Sequence, residues 1–453
     1  MRNNLAVVRT NDPVVIIGGG PGGYEAALVA RQMGAEVVLV HRAPLGGAAV
    51  LTDCVPSKAL IAVANQRRQP FDLATTNRRI TDLAQAQSQD IRANLEREGI
   101  TLLAGVGRLG APGQVEVIAP TGERTLLDAS AILIATGARP RALDQARPDG
   151  ERILSWPQLW SLPDLPAKLI VIGSGVTGAE FAGAYHALGS EVVLVSSRDR
   201  VLPSEDADAA QVIEDVFQRA GVQVMGRSRA ASACASDDGV LVTLTDGRQI
   251  EGTHVLMAVG SEPNTEDLGL QQAGVEVDER GFITVDRVSR TSAPGVYAAG
   301  DCTGVLMLAS VAAMQGRISM RHALGGAVTP LELDFVSSTV FTEPEIATVG
   351  VTQQDLDNGT FVGECVMLPL DSNARAKMEG IEDGFVKLFC RAQTRIIAGA
   401  VVVSPHASEL IHPLTIAVQQ RLTADQLAAT FTVYPSLSGS LAEAARRLHV
   451  TDG

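Results

Sequence analysis

A strand, a glycine-rich turn, a helix and a second strand occur twice in this chain, and that repeat limits the fold more than any other feature. Val14 to Ile17 leads into Gly18-Gly19-Gly20-Pro21-Gly22-Gly23, then an Ala-rich apolar stretch, Ala26 to Met33, and a further apolar run, Val37 to Val40. The pattern returns as Leu169 to Ile172, Gly173-Ser174-Gly175-Val176-Thr177-Gly178, Ala179 to Leu188 and Val192 to Val195. Duplication of a βαβ unit is the simplest explanation. Each copy later reaches an apolar strand ending in glycine, at Gly137 and at Gly260. One G-x-G-x-x-G is weak evidence. Two of them, each between an apolar strand and a helical pattern, meet the context the motif requires. The first glycines (Gly18, Gly173) permit the tight turn. The second (Gly20, Gly175) let the backbone approach a pyrophosphate, and the third (Gly23, Gly178) let helix and strand pack closely. The helix N-terminus that follows offers unpaired N–H groups to the anion. Two copies imply two bound dinucleotides, or one and a degenerate site.

The residue that reads the ribose is ordinarily an acid about 20 residues past the turn. Neither copy has one. The first has His41-Arg42, and the second has Ser196-Ser197-Arg198 with Arg200 close by. His41 is expected to touch ribose or adenine. Without an acid, the second copy does not repel a 2′-phosphate, and Arg198 can pair with one. NADPH is therefore expected to be accepted alongside NADH. The alternative for Arg198 is a solvated loop arginine.

The rest of the chain sets limits. Its 453 residues allow about three domains. A net charge of −14 disfavours nucleic acid as a partner, which needs clustered positive charge. The five cysteines are scattered and odd in number, with no zinc or disulfide spacing, so no metal is expected. No continuous apolar run reaches the roughly 20 residues of a membrane-spanning helix, and Met1 to Thr10 lacks the pattern of a signal peptide. The expected location is the cytoplasm. A Pro-rich stretch carrying both tryptophans, Arg139 to Pro166, reads as a surface linker between the two units. After about residue 335 the pattern changes. Val340 to Val349, Gly384 to Cys390 and Ile396 to Val403 read as strands, and Ser408 to Gln420 and Ala424 to Ala429 as helices. Grouped strands followed by helices indicate a separate α+β domain.

A further segment runs Gly46-Gly47-Ala48-Ala49-Val50-Leu51-Thr52-Asp53-Cys54-Val55-Pro56-Ser57-Lys58. With it, the chain resembles the class I pyridine nucleotide–disulfide oxidoreductases, among them lipoamide dehydrogenase, glutathione reductase and mercuric reductase. The likeness covers nearly the whole chain. It includes both glycine turns, Ala135-Thr136-Gly137, Ala179-Glu180, Val296 to Asp301 and Val340-Phe341-Thr342-Glu343-Pro344-Glu345-Ile346-Ala347. The family segment carries two cysteines that form a redox disulfide beside the flavin. Here the first is Ala49, and Cys54 matches the one nearest the flavin. The family ends in H-P-x-x-S-E, whose His and Glu are catalytic. This chain reads Tyr434-Pro435-Ser436-Leu437-Ser438-Gly439. Three parts of the thiol machinery are missing together, so no disulfide is expected to be reduced.

What survives is the half that takes hydride from a nicotinamide. The resemblance implies that Lys58, paired with Glu180, keeps positive charge where the reduced flavin becomes negative. The chain has only four lysines against 33 arginines, which makes a lysine at 58 mildly informative. It implies that Asp301 holds the ribityl chain of FAD, or caps a helix, or both. It also implies that Gly47, Thr136, Gly137 and Gly260 lie against the cofactors. Cys54 is either a small apolar filler or a helix-start thiol of lowered pKa. Tyr434 would sit near the partner subunit's isoalloxazine, as the family's His does. There it caps the site, stacks on a flat substrate or bonds a carbonyl oxygen, or it only fills the hole left by the His.

The expected fold is α/β. An FAD-binding domain (1–150 and 279–335) and an NAD(P)-binding domain (151–278), both Rossmann-like, precede a C-terminal α+β dimerisation domain (336–453). The expected assembly is a homodimer. The expected reaction is hydride transfer from NADH or NADPH through FAD to a flat two-electron acceptor, a quinone. The pattern closely resembles the lipoamide-dehydrogenase-like NAD(P)H quinone reductases of actinobacteria, and that likeness is what points to quinone. The alternatives are pyridine nucleotide transhydrogenation and a non-catalytic flavin-binding scaffold.

Overall fold

The computed structural model describes residues 12–66 and 71–448. The apolar runs flanking each glycine turn are too uniformly hydrophobic for a sheet with a wet face, and they become the centres of two parallel sheets. In the first, Val14–Ile17 lies between Val37–His41 and Ala131–Ile134; Thr101–Ala104 and Val296–Ala298 complete the edges. In the second, Lys168–Ile172 lies between Glu191–Val195 and His254–Met257, with Gln223–Met225 and Ile153–Ser155 outside. Both sheets reverse strand order beside their central strand. At such a reversal the crevice beyond the strand ends takes ligands.

Each glycine turn opens a helix, Pro21–Gln32 in the first unit and Val176–Leu188 in the second. The first helix packs on Ala309–Ala323 so closely that a Cβ at Gly316 would stand 2.1 Å from the Gly22 carbonyl oxygen. Leu268, Leu270 and Val275 are buried with the core of the first sheet, so that stretch of chain sits with the first unit.

The stretch Arg139 to Pro166 is more than a surface linker. Ala138–Pro140 pairs with Ser261–Pro263, and Ile153–Ser155 joins the second sheet. Trp156 is buried, and Trp160 rests against Phe181. Prolines and glycines mark its turns, but the pairing partners lie about a hundred residues away.

The C-terminal unit is a five-stranded antiparallel sheet with helices Ala407–Gln419, Ala424–Ala428 and Gly439–Arg447. The single strand expected over Val340 to Val349 is two, Ser337–Val340 and Glu345–Gly350, paired antiparallel. Phe341 to Pro344 forms the connection between them, because a proline cannot continue the ladder. Lys387, fully buried in this sheet, donates to both oxygens of Asp206 at 3.0 and 2.9 Å and also to Asp208, tying the unit to the second domain. Arg219 and Asp383 make a second tie.

Among the described residues, 47–65 is long and apolar enough to pass as a membrane span. It is two helices, Gly47–Leu51 and Cys54–Asn65, broken at Thr52-Asp53. It carries Asp53 and Lys58, and Lys58 is held in an ion pair.

Candidate active site

A cleft of about 870 Å³ opens at the strand ends of the first sheet. Gly18, Gly20, His41, Gly47, Cys54, Thr136, Gly137 and Asp301 all line it. Residues from more than 280 positions apart in the chain thus meet around one space.

The glycine turns show the division of roles in atomic detail. Gly18 has φ +119, and a Cβ there would stand 2.1 Å from the Ala135 carbonyl oxygen. A Cβ at Gly23 would stand 1.9 Å from the Gly18 carbonyl oxygen. Gly20 differs, for its nearest neighbour is the Gly47 Cα at 3.8 Å. In the second turn the distances are 2.1 Å at Gly173 and 1.8 Å at Gly178, with nothing within 4 Å of Gly175. The outer glycines are needed by the protein's own packing. The middle ones face space that the protein leaves open at a helix N-terminus, which fits a dinucleotide's pyrophosphate in both turns.

The ends of the two second strands differ in character. His41 is buried, and its Nδ1 lies 2.9 Å from the Ala43 carbonyl oxygen. Ser196 is fully buried, its hydroxyl 2.7 Å from that of Ser174 and accepting from the Arg198 N–H at 3.1 Å. Ser196 therefore shapes the loop, and the Arg198 side chain stands exposed beyond it. Asp199, the next residue in the chain, pairs with Arg227 at 2.7 Å, so its carboxylate is already partnered.

Cys54 and Lys58 lie one turn apart on the Cys54–Asn65 helix, and so on one face. Lys58 Nζ donates to Glu180 Oε2 at 2.8 Å. Glu180 comes from the Val176–Leu188 helix, is 3% exposed, and its other oxygen accepts the Phe341 N–H at 2.9 Å. The expected pair is thus brought together across 122 residues.

Cys54 does not have a lowered pKa. It opens onto the cleft, but it begins its helix among enough protein that burial pushes the thiol up. Lys58 pulls the other way, while Asp53, Glu180 and Asp301 add to the rise. Helix-start position alone does not make a reactive thiolate. Burial also raises the Asp53 carboxyl, against hydrogen bonds from Trp156 and Thr52 and the charge of Lys58. Trp156 Nε1 donates to Asp53 at 2.5 Å, and Trp160 Nε1 donates to the Thr52 carbonyl at 2.9 Å. Both tryptophans therefore brace the break before Cys54, a role their place in a Pro-rich stretch gave no hint of.

Asp301 is pushed up to about 6 by burial, with Asp53 adding to the rise. It is the first residue of a short 3-10 turn whose cap is Gly300, and the next helix starts only at Ala309. A helix-capping role for Asp301 is therefore excluded. Cys302 is fully buried and contacts backbone carbonyls, as a packing residue does. Tyr434 is 86% exposed, in the tail between the last two helices, beside the equally open Phe431 and Val433.

Residues 12–316 match the sequence profile of the pyridine nucleotide-disulphide oxidoreductases, and residues 336–445 match that family's dimerisation domain. The chain is 53% identical to an NAD(P)H dehydrogenase (quinone) of Mycobacterium tuberculosis, over 97% of this chain and 94% of the relative. It is 34% identical to a dihydrolipoyl dehydrogenase of Chlamydia pneumoniae, covering 95% of each. The crystal structure of LpdA from M. tuberculosis superposes with a TM-score of 0.94 at 52% identity, covering 97% of this chain and 100% of that one. A flavoprotein disulfide reductase, RclA of Escherichia coli, superposes with a TM-score of 0.87 at 25% identity, covering 96% and 99%.

Proposed function

The chain belongs to the pyridine nucleotide–disulphide oxidoreductases, and from that premise we propose that it carries hydride from NAD(P)H through FAD to a quinone without a redox disulfide. The single observation that carries this reading is an asymmetry. Lys58 and Glu180, which we read as the pair that serves the flavin, stand 2.8 Å apart, while Ala49, Tyr434 and Gly439 occupy the positions of the family's Cys, His and Glu. The 53% identity to a protein named for quinone reduction supports the acceptor.

In this proposal the FAD-binding unit spans 1–150 and a second segment ending at 335, which begins before the expected 279 because Leu268, Leu270 and Val275 pack in its core; the NAD(P)-binding unit lies between these two segments, and the interface unit spans 336–453. The cleft of the first sheet takes FAD, with Gly18, Gly20 and Gly23 on its pyrophosphate. His41 takes the adenosine end, Gly47, Thr136 and Gly137 the middle, and Asp301 the ribityl chain. The second turn, Gly173, Gly175 and Gly178, takes the nicotinamide dinucleotide, with Gly260 at its strand end. Ser196 holds the loop that presents Arg198 to a 2′-phosphate, so NADPH is accepted beside NADH. Bound FAD would supply the two-electron chemistry that links nicotinamide to quinone. The protein's part is to align the two rings and to exclude competing reactions. Lys58 holds a compact positive charge toward the ring, which a forked guanidinium would not do as closely. Glu180 keeps that ammonium oriented. Cys54 is a neutral neighbour. In the dimer implied by the C-terminal domain, Tyr434 reaches toward the partner's cleft, and its exposed ring is suited to a flat substrate.

Anaerobic stopped-flow absorbance tests the proposal. NADPH should bleach the bound flavin, and a naphthoquinone should restore its colour quickly while lipoamide does not. Lys58→Met should slow the bleaching at least about tenfold. Recovery with lipoamide would refute the disulfide-free route. Recovery only with a thio-NAD analogue would identify a transhydrogenase, and no bleaching at all would identify a scaffold.

A further inference from the structure

Lys58 has a second neighbour that the pairing with Glu180 does not explain. Its Nζ stands 4.7 Å from the centre of the Phe341 ring. Phe341 belongs to the connection between Ser337–Val340 and Glu345–Gly350, in the C-terminal unit. The same residue donates its backbone N–H to Glu180 Oε1 at 2.9 Å. One residue thus engages the cation through its ring and the carboxylate through its backbone. Each partner comes from a different unit, for Lys58 is on the Cys54–Asn65 helix and Glu180 on the Val176–Leu188 helix.

The connection is fixed in place from both sides. Asn65, at the end of the Lys58 helix, donates to Glu343 at 2.7 Å. Thr342 is buried and donates to the Pro344 carbonyl at 2.8 Å. The Phe341 side chain packs on the buried cluster that includes Leu60 and Phe181. A ring held this way has little freedom to leave the ammonium. Lys58 keeps about 30% of its side-chain surface open. Without the ring, an ammonium on a flexible four-carbon stem has other rotamers available.

We propose that Phe341 is a positioning residue for Lys58: its ring face and its N–H together fix the Lys58–Glu180 pair at the meeting point of three units. The proposal rests on the reading of Lys58 as the charge that serves the flavin. A cation over an aromatic face gains electrostatic energy from the ring quadrupole. Holding the ammonium toward the ring system at rest means no reorganisation is needed when charge develops there. The C-terminal unit, matched to dimerisation, therefore also sets the charge beside the flavin.

The test uses the flavin-loaded dimer. Phe341→Leu keeps an apolar side chain and the backbone N–H but removes the ring face; Phe341→Tyr keeps the face. The midpoint potential of the bound flavin and the rate of its bleaching by NADPH are measured for both. The Leu variant is expected to lower the potential and slow bleaching roughly two- to fivefold, while the Tyr variant stays near wild type. In a Lys58→Met background, Phe341→Leu should add nothing further. A wild-type potential and rate in Phe341→Leu overturn the proposal. So does equal damage from Leu and Tyr, which would reveal loop packing alone. So does a full Phe341→Leu effect without Lys58. If Lys58→Met itself leaves bleaching unchanged, the role of Lys58 has failed, and that outcome is distinct from a failure of Phe341. Flavin content and dimer mass of each variant exclude misfolding as the cause.

Discussion

Replacing Gly175 by alanine separates cofactor binding from folding. Gly175 caps the Val176–Leu188 helix with φ −72 and ψ −171, a conformation open to any residue. A Cβ built there meets no atom within 4 Å. Two small effects then oppose each other. Alanine restricts the unfolded chain, which stabilises by about 0.4–1 kcal/mol. Alanine is also a poorer helix cap than glycine, at a cost on the order of 0.5–1 kcal/mol. The net change is within about 1 kcal/mol of zero, a shift of a few degrees at most in Tm. Binding should behave differently. The methyl occupies the space through which a pyrophosphate reaches the backbone, so NAD(P)H should bind at least about tenfold more weakly, or about 1.4 kcal/mol. Gly178→Ala is the contrasting variant. Its Cβ would stand 1.8 Å from the Gly173 carbonyl oxygen, so the helix must move off its strand. Such overpacking costs about 1–3 kcal/mol or more. Thermal melts followed by flavin fluorescence and anaerobic NAD(P)H titrations measure both quantities. Wild-type NAD(P)H affinity in folded Gly175→Ala would refute the pyrophosphate role of this turn. A collapse of its Tm would show that the space around Gly175 is not open to a methyl group.

Cys54→Ala should retain most quinone reduction, because the thiol is raised rather than activated; loss of all quinone turnover in steady-state assays would show that sulfur is needed. Arg198→Ala should raise the KM for NADPH more than that for NADH, and an equal rise in both would remove Arg198 from 2′-phosphate recognition. Asp301 makes stability depend on pH. Its folded pKa of about 6 lies above the ordinary 3.8, so between those values the native state holds the proton that the unfolded chain has lost. Its contribution therefore falls as pH rises through that window, by on the order of 2–3 kcal/mol. Asp301→Asn should then raise the Tm of flavin-free protein at pH 7 but not at pH 4, and an unchanged Tm at pH 7 would contradict the raised carboxyl.

The two βαβ units, the positions of their glycines and the α/β class were legible from the order of the residues. These depend on short-range rules. A tight turn needs a residue without Cβ at Gly18 and Gly173, and a buried parallel strand needs a continuous apolar run. That Ala49, Tyr434 and Gly439 stand where the family pattern has Cys, His and Glu is a matter of residue identity, and it needs no structure to read. The pairing of Lys58 with Glu180 was implied by resemblance and required no structure to suggest. Features that depend on distant partners emerged only with the folded chain. The stretch with both tryptophans looked like a linker because its prolines are local and its strand partners, Ser261–Pro263 and His254–Met257, are remote. The rise of the Cys54 pKa could not be read from its place at a helix start, because burial by neighbouring elements outweighs the local charge. The ring of Phe341 reaches Lys58 from another unit altogether. Periodicity and turn chemistry are properties of neighbours along the chain; desolvation, ion pairing and ring contacts are properties of neighbours in space.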